Sequence, residues 1–198
     1  MKFNFKIQQY QTDAVNAVVK VFSGQGFHEQ TKYIRDRGES VDEQIYQTEI
    51  PDNDIGFKND EITLSDAQLL RNIHKLQSEN NIKLSPELVK DLGRCALDVE
   101  METGTGKTYV YIKTMFELNK VYGWSKFIVV VPSIAIREGV KKSFDMMEDH
   151  FMEHYGKKAR SFIYNSQNLN QLDHFSADSG IQVMIINTHA FATSLKED

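Results

Sequence analysis

The stretch DVEMETGTGKTYVYIKTMFEL, Asp98 to Leu118, decides how the chain reads. A glycine-rich turn stands between a short apolar segment and a long run with helical apolar spacing. Two glycines, a lysine and two threonines make up residues 104–108. Glycines let successive backbone N–H groups face inward around an anion, and a helix that follows adds its positive N-terminal end. Lys107 can reach the β- and γ-phosphates of a nucleotide, and Thr108 can offer its hydroxyl to Mg²⁺. Glu102, Thr103, Gly104, Thr105, Gly106, Lys107 and Thr108 are therefore the candidate phosphate-binding residues. Lys107 is the candidate catalytic cation and Thr108 the candidate Mg ligand. The full phosphate-loop pattern, Gly-x4-Gly-Lys-[Ser/Thr], wants glycine at position 101, and this chain has Met101.

Outward from the turn, strand and helix patterns alternate. RCALDVE, residues 94–100, alternates as a strand. TGKTYVYIKTMFELNKVYG reads as a helix ended by Gly123. KFIVVV is a continuous apolar run bounded by Pro132, the pattern of a buried parallel strand. SIAIREGVKKSFDMMEDHF returns to helical spacing, and RSFIY and IQVMIIN are further strands. The alternation predicts an α/β domain with a parallel sheet flanked by helices, and ligands in such a sheet bind at the C-terminal strand ends.

Upstream, Tyr10, Ala14, Val15, Ala17, Val18, Val21 and Phe22 share one face of a helix that Gly24 and Gly26 stop. Ser65 and Gln68 have capping-box spacing before a second helix. Ser85 and Pro86 predict a third, ending at Gly93. Residues 25–63 are polar and loop-rich, with short strands expected around Ile45 and Ile50. The expected division is a helical region over 1–93 and an ATPase-like region over 94–198.

Composition sets limits. The chain has 198 residues, 40% of them hydrophobic, enough for one real core. Its formal net charge is −5, so any nucleic-acid contact must come from a local surface. The single cysteine, Cys95, rules out a disulfide framework within the chain and reads as a small buried hydrophobe. No segment approaches the ~20 apolar residues of a membrane helix. The N-terminus has no apolar run of signal-peptide type. The expectation is a cytoplasmic protein with no membrane partner.

Further candidates lie outside the turn. In QQYQTDAV, residues 8–15, Gln11 follows an aromatic residue and precedes Ala14 by three positions. Its amide can donate to N7 and accept from N6 of adenine, selecting ATP over GTP. Read without the turn, Gln11 would be a surface residue of an amphipathic helix. In KFIVVVPSIAIREGV, Ser133 with the helix N-terminus and Arg137 can each meet a nucleic-acid phosphate. Thr188, after IQVMIIN, is either a further backbone contact or a helix cap. His150 and His154 share a helix face, but the intervening glutamate is not where His-Glu-x-x-His zinc sites need it, so a helix-surface pair is expected. Tyr109, Tyr111, Phe116, Tyr122 and Trp124 follow helical and turn spacing, which favours packing over base stacking.

METGTGKT resembles motif I of superfamily 2 helicases and translocases, in which the first glycine is often absent. QQYQTDAV looks like their adenine-reading segment. KFIVVVPSIAIREGV is similar to their motif Ia, which holds one nucleic-acid strand by its backbone. The longer run from Leu97 to Val140 resembles the restriction (Res) subunit of type III restriction–modification enzymes, and FKIQQYQTDAV extends the likeness toward the N-terminus. Residues 25–85 resemble that family loosely. The resemblance implies a RecA-like P-loop domain, ATP and Mg²⁺ as cofactors, and double-stranded DNA as a partner touched through its backbone. It also implies a methyltransferase (Mod) subunit that reads the DNA sequence. The family carries a second RecA-like domain with an arginine finger, and a nuclease domain. It also carries an Asp-Glu pair on a later strand to hold Mg²⁺ and orient water. None of these is legible within 198 residues. The expectation is a fold incomplete at the C-terminus, a fragment that neither hydrolyses ATP efficiently nor cuts DNA alone. The alternatives are another DNA-dependent superfamily 2 motor, such as a type I restriction motor subunit, and a P-loop nucleotide-binding protein that does not act on DNA.

Overall fold

The structure, a computed structural model, describes residues 5–35, 55–91, 93–167 and 170–194. The chain forms two compact units, neither of them continuous in sequence: residues 1–28 with 61–123, and residues 29–60 with 124–198. They do not follow a boundary at residue 93, because the glycine-rich turn and its helix cluster with the N-terminal helices.

The first unit is built on three helices: α1 (Gln9–Val21), α2 (Asp66–Glu79) and α3 (Lys107–Tyr122). In α1, Val15 and Val21 are buried and Phe22 closes the end. The carbonyls at that end are satisfied from the neighbouring helices. Asn72 of α2 donates to Val21 O and Ser23 O, each at 2.9 Å, and Tyr122 of α3 donates to Val19 O at 2.8 Å. Such bonds supply what a helix C-terminus lacks. Helix α2 begins with the complete capping box expected of Ser65 and Gln68. Helix α3 is buried on most of its circumference, including Val110, Ile112, Phe116 and the polar Lys113, Thr114 and Asn119. Gly123 ends it with φ +83°, and a Cβ there would lie 2.0 Å from His28 O, so only glycine fits.

Two sequence expectations fail in this unit. Residues 85–93 are not a helix among the described residues. The Ser85 hydroxyl accepts from Gln77 Nε2 at 2.8 Å, the Ser85 N–H donates to Gln77 Oε1, and its carbonyl meets His74. Groups that would have capped a helix are taken by α2. Residues 95–100 are not a strand either. Their alternating pattern is real, but a strand needs a ladder partner. Among the described residues the one backbone bond found is Ala96 N–H to Val89 O. Cys95 is half-buried rather than buried, and desolvation raises its thiol pKa.

The second unit carries the sheet. Strands β3 (Lys126–Val131), β4 (Ala159–Ile163) and β5 (Ile181–Asn187) are parallel, in the order β3-β5-β4. Central β5 is buried at Ile181, Gln182, Val183, Ile185 and Ile186, as a strand with two neighbours and covered faces must be. Helices α4 (Ile134–Tyr155), α5 (Asn170–Ala177) and α6 (Thr188–Ser194) pack against it. The expected burial of KFIVVV is corrected. Among the described residues β3 lies at an edge, and Ile128 and Val130 are 51% and 42% exposed. A smaller antiparallel pair, β1 (Thr31–Ile34) with β2 (Ile55–Lys58), flanks residues 36–54. The strands expected around Ile45 and Ile50 fall outside the described residues. The loop before β3 is pinned by Asn59, whose Oδ1 accepts from Ser125 N–H and Lys126 N–H at 2.8 Å.

Candidate functional site

The turn before α3 is a loop held in a shape that only glycines allow. Gly104 and Gly106 have φ of +83° and +88°, the left-handed region that side chains resist. They need glycine for different reasons. A Cβ at Gly104 would meet nothing within 4 Å, so its requirement is conformational and the space beside it is open. A Cβ at Gly106 would lie 2.5 Å from Gln11 Nε2. Between them, Thr105 closes the turn: its Oγ1 donates to Glu102 O at 2.6 Å and its N–H to the same carbonyl at 3.4 Å.

Helix α3 starts at Lys107 without a side-chain cap. A helix N-terminus without such a cap is where an anion is favourably held. Lys107 is exposed, and Thr108 is half-buried. The set suits a nucleotide's phosphates with Mg²⁺: two left-handed glycines before a helix N-terminus, an exposed cation and one hydroxyl. The loop and helix match the sequence expectation; the strand before them does not.

Gln11 is buried at 8% exposure and its Nε2 donates to Thr105 O at 2.9 Å. It is not the surface residue that an isolated helix would imply. Tyr10, which sequence reasoning passed over, donates its hydroxyl to the same carbonyl at 3.1 Å. Residues 94 and 95 positions apart thus meet on one oxygen of the loop. The next residue continues the series. Thr12 Oγ1 receives a hydrogen bond from Lys113 Nζ of α3 at 3.1 Å. Phe5 stacks on Tyr109, with ring centroids 6.4 Å apart.

The other candidates belong to the second unit. Ser133 caps α4: its side chain accepts from Ile136 N–H at 3.3 Å, and the residue is exposed. Arg137, one turn on, pairs with Glu138 at 3.1 Å. Thr188 is exposed as the first residue of α6. The capping bond there is made by Asn187, whose Oδ1 accepts from Ala190 N–H. Val131 and Asn187 are register partners on adjacent parallel strands. Ser133 and Thr188 therefore both follow the C-terminal ends of neighbouring strands, on one rim of the sheet.

His150 departs from the surface pair expected. It is 9% exposed, its ring lies 4.3 Å from that of His154 and 5.2 Å from that of Phe151, and its carbonyl meets His154 Nδ1. Among the described residues no three His, Cys, Asp or Glu side chains group as a metal site. No helix among them is long and apolar enough to cross a membrane.

The family model for the type III restriction enzyme Res subunit matches residues 4–198. The chain belongs to that family. Its α/β architecture, with a parallel sheet flanked by helices, is the P-loop, RecA-like fold of helicase type. The chain is 40% identical over 111 residues to the EcoP15I Res subunit of Escherichia coli, covering 55% of this chain and 11% of that protein. It is 40% identical over 114 residues to the EcoPI Res subunit of Escherichia phage P1, with the same coverage. Against the StyLTI Res subunit of Salmonella typhimurium it is 42% identical over 87 residues, covering 42% of this chain and 9% of that protein. The matched stretches thus span about a tenth of these relatives.

Proposed function

We propose that this chain is the ATP-binding front of an ATP-dependent DNA translocase and endonuclease, working in the cytoplasm with a methyltransferase (Mod) subunit. One observation carries the reading: the Gln11 amide lies against the loop carbonyl of Thr105, between two glycines in the left-handed conformation. A phosphate loop and a base-reading amide are there built as one piece.

In this reading the backbone from Glu102 to Thr108 cradles the phosphates. Lys107 offsets the charge that builds on the transferred phosphoryl group, and the Thr108 hydroxyl holds Mg²⁺. Mg²⁺, when bound there, would supply neutralisation of the nucleotide's phosphate charge. Gln11 meets the N6–N7 edge of adenine and disfavours guanine, whose O6 would face the amide oxygen. Ser133, Arg137 and Thr188 hold the DNA backbone along the rim of the sheet, contacts that position a duplex without reading its sequence.

Turnover is a separate matter. In this class water is oriented by an acidic pair that ends an apolar strand. Glu148 and Asp149 lie inside α4, and no described strand ends in such a pair. The chain alone therefore binds ATP without efficient hydrolysis and does not cut DNA. Titration with a fluorescent ribose-labelled ATP in Mg²⁺ tests this. Saturable binding that Lys107→Ala weakens by about tenfold is the expected result. Binding that Lys107→Ala leaves intact would overturn the assignment of the loop. Lys107-dependent ATP turnover by the chain would overturn the division between binding and hydrolysis.

A further inference from the structure

We infer that Lys113 is a positioning residue that sets where the base-reading Gln11 points, and so governs the preference for adenine over guanine. This rests on the reading of Gln11 above.

Lys113 lies six residues beyond Lys107, on the face of α3 that meets α1, and is 9% exposed. Lysine seldom goes there, because burying an ammonium is costly. Desolvation pulls its pKa down, and Glu117, one turn along, only partly opposes this. A leucine or methionine would fill the same space at no such cost, so packing does not account for the charge. Direction does. The Nζ donates to Thr12 Oγ1 at 3.1 Å, and the Thr12 hydroxyl donates onward to Gln8 O at 3.3 Å. The ammonium also lies 6.0 Å from the ring centroid of Tyr109. The first turn of α1 is thus fixed to α3 at the residue after Gln11.

That placement matters because Gln11 is long. A site of this kind must hold its groups to within about 0.5 Å. Tyr10 and Gln11 tie the turn to the loop through Thr105 O, and Thr12 ties it to the helix through Lys113. When the Gln11 amide turns to a base, its bond to Thr105 O is released, and the Lys113–Thr12 contact remains to fix the turn. Lysine can do this with one donor on a flexible stem, reaching a hydroxyl oxygen to which an apolar side chain could not donate.

The test compares ATP with GTP. Each displaces a fluorescent ribose-labelled ADP from the chain in Mg²⁺, with inorganic tripolyphosphate as a probe that carries no base. Lys113→Met preserves volume and removes a buried charge, so folding is retained, and a thermal melt checks it. The expected result is a drop of about fivefold in the ATP-over-GTP ratio, the size of one directional hydrogen bond, with tripolyphosphate affinity unchanged within about twofold. Thr12→Val should act in the same direction. The double variant should add little to either, since the two residues form one contact. A ratio unchanged in Lys113→Met, while Gln11→Ala abolishes the preference, overturns the proposal and leaves the reading of Gln11 standing. A ratio unchanged in Gln11→Ala removes that reading and this inference with it. A parallel loss of tripolyphosphate affinity in Lys113→Met also overturns it, by showing that the residue supports the loop as a whole.

Discussion

The loop at Gly106 and the turn at Ser133 both lead into a helix N-terminus, yet they are made of different materials. The first is held from far along the chain: Tyr10 and Gln11 reach Thr105 O, and two glycines take φ values near +85°. The second is local. Ser133 is an ordinary cap, bonded to a residue three positions on, and exposed to solvent. A nucleotide's phosphates demand a concave shape, which has to be constructed and held. A DNA backbone is long and regular, and a row of exposed caps and cations meets it without special backbone geometry. The contrast predicts that single substitutions damage the first site far more than the second.

The largest effect is expected at Gly106. In Gly106→Ala the backbone strain of a left-handed alanine costs about 1–3 kcal/mol. The new methyl group also displaces Gln11, whose Nε2 would be 2.5 Å away. Both stability and nucleotide binding should fall, binding by more than tenfold. Gly104→Ala carries the strain alone, because its Cβ enters open space. Equal losses at the two glycines, in urea denaturation and nucleotide titration, would break the distinction drawn between them.

Next comes Lys107→Ala. The side chain is exposed, so stability should change by less than about 0.5 kcal/mol. Nucleotide affinity should fall by about tenfold, the worth of one charge-assisted hydrogen bond. A stability loss as large as that of Gly106→Ala would mean that Lys107 serves the fold and not the ligand.

The two regions also differ in how legible they were. The glycine loop and the cap at Ser65 are local demands, written in adjacent residues, and they stand where the sequence puts them. Contacts across long separations left no local mark. Nothing near Thr12 announces Lys113, 101 positions on. Nothing near Ser85 announces that Gln77 will take its hydroxyl and its N–H, which is why the helix expected there is missing. The alternation of RCALDVE is a statement about side-chain faces. Whether it becomes a strand depends on a neighbour that the pattern does not encode. The exposure of Ile128 and Val130 has the same origin, since β3 pairs on one side among the described residues. The eight-residue α5 was not anticipated at all. It buries none of its residues, so no apolar period marks it.

Smaller effects are expected on the rim of the sheet. Ser133→Ala removes a cap and should cost about 1 kcal/mol, without touching nucleotide affinity. Arg137→Ala should weaken binding of a duplex uniformly across sequences and flatten the plot of log affinity against log salt by about one unit. A sequence-dependent loss would move Arg137 from backbone positioning to base reading. An unchanged slope would remove it from the interface.

The smallest effect sharpens the comparison through a second, half-buried lysine. Lys126, at the start of β3, donates to Phe175 O at 2.6 Å and to Asp178 O, the carbonyls just beyond and at the end of α5. Its ammonium lies 5.5 Å from the Phe175 ring centroid. Desolvation lowers its pKa from 10.5 to about 8, opposed in part by the Asp178 charge. In the unfolded chain the group keeps its ordinary value. Between pH 8 and 10.5 the unfolded state therefore binds more protons than the folded one, and stability should rise with pH across that window. Below pH 8 both states are charged and the burial penalty is present in full. Other lysines and tyrosines titrate nearby, so the reading is taken as a difference from Lys126→Met. Wild type should gain on the variant from about pH 8 upward, by about 1 kcal/mol or less once partial exposure is allowed for. Urea midpoints for both proteins on either side of the window give that difference. A constant difference would mean that the ammonium is solvated where it stands. Lys126 would then be an ordinary helix-end contact, and a directed buried charge would be particular to Lys113 and the first unit.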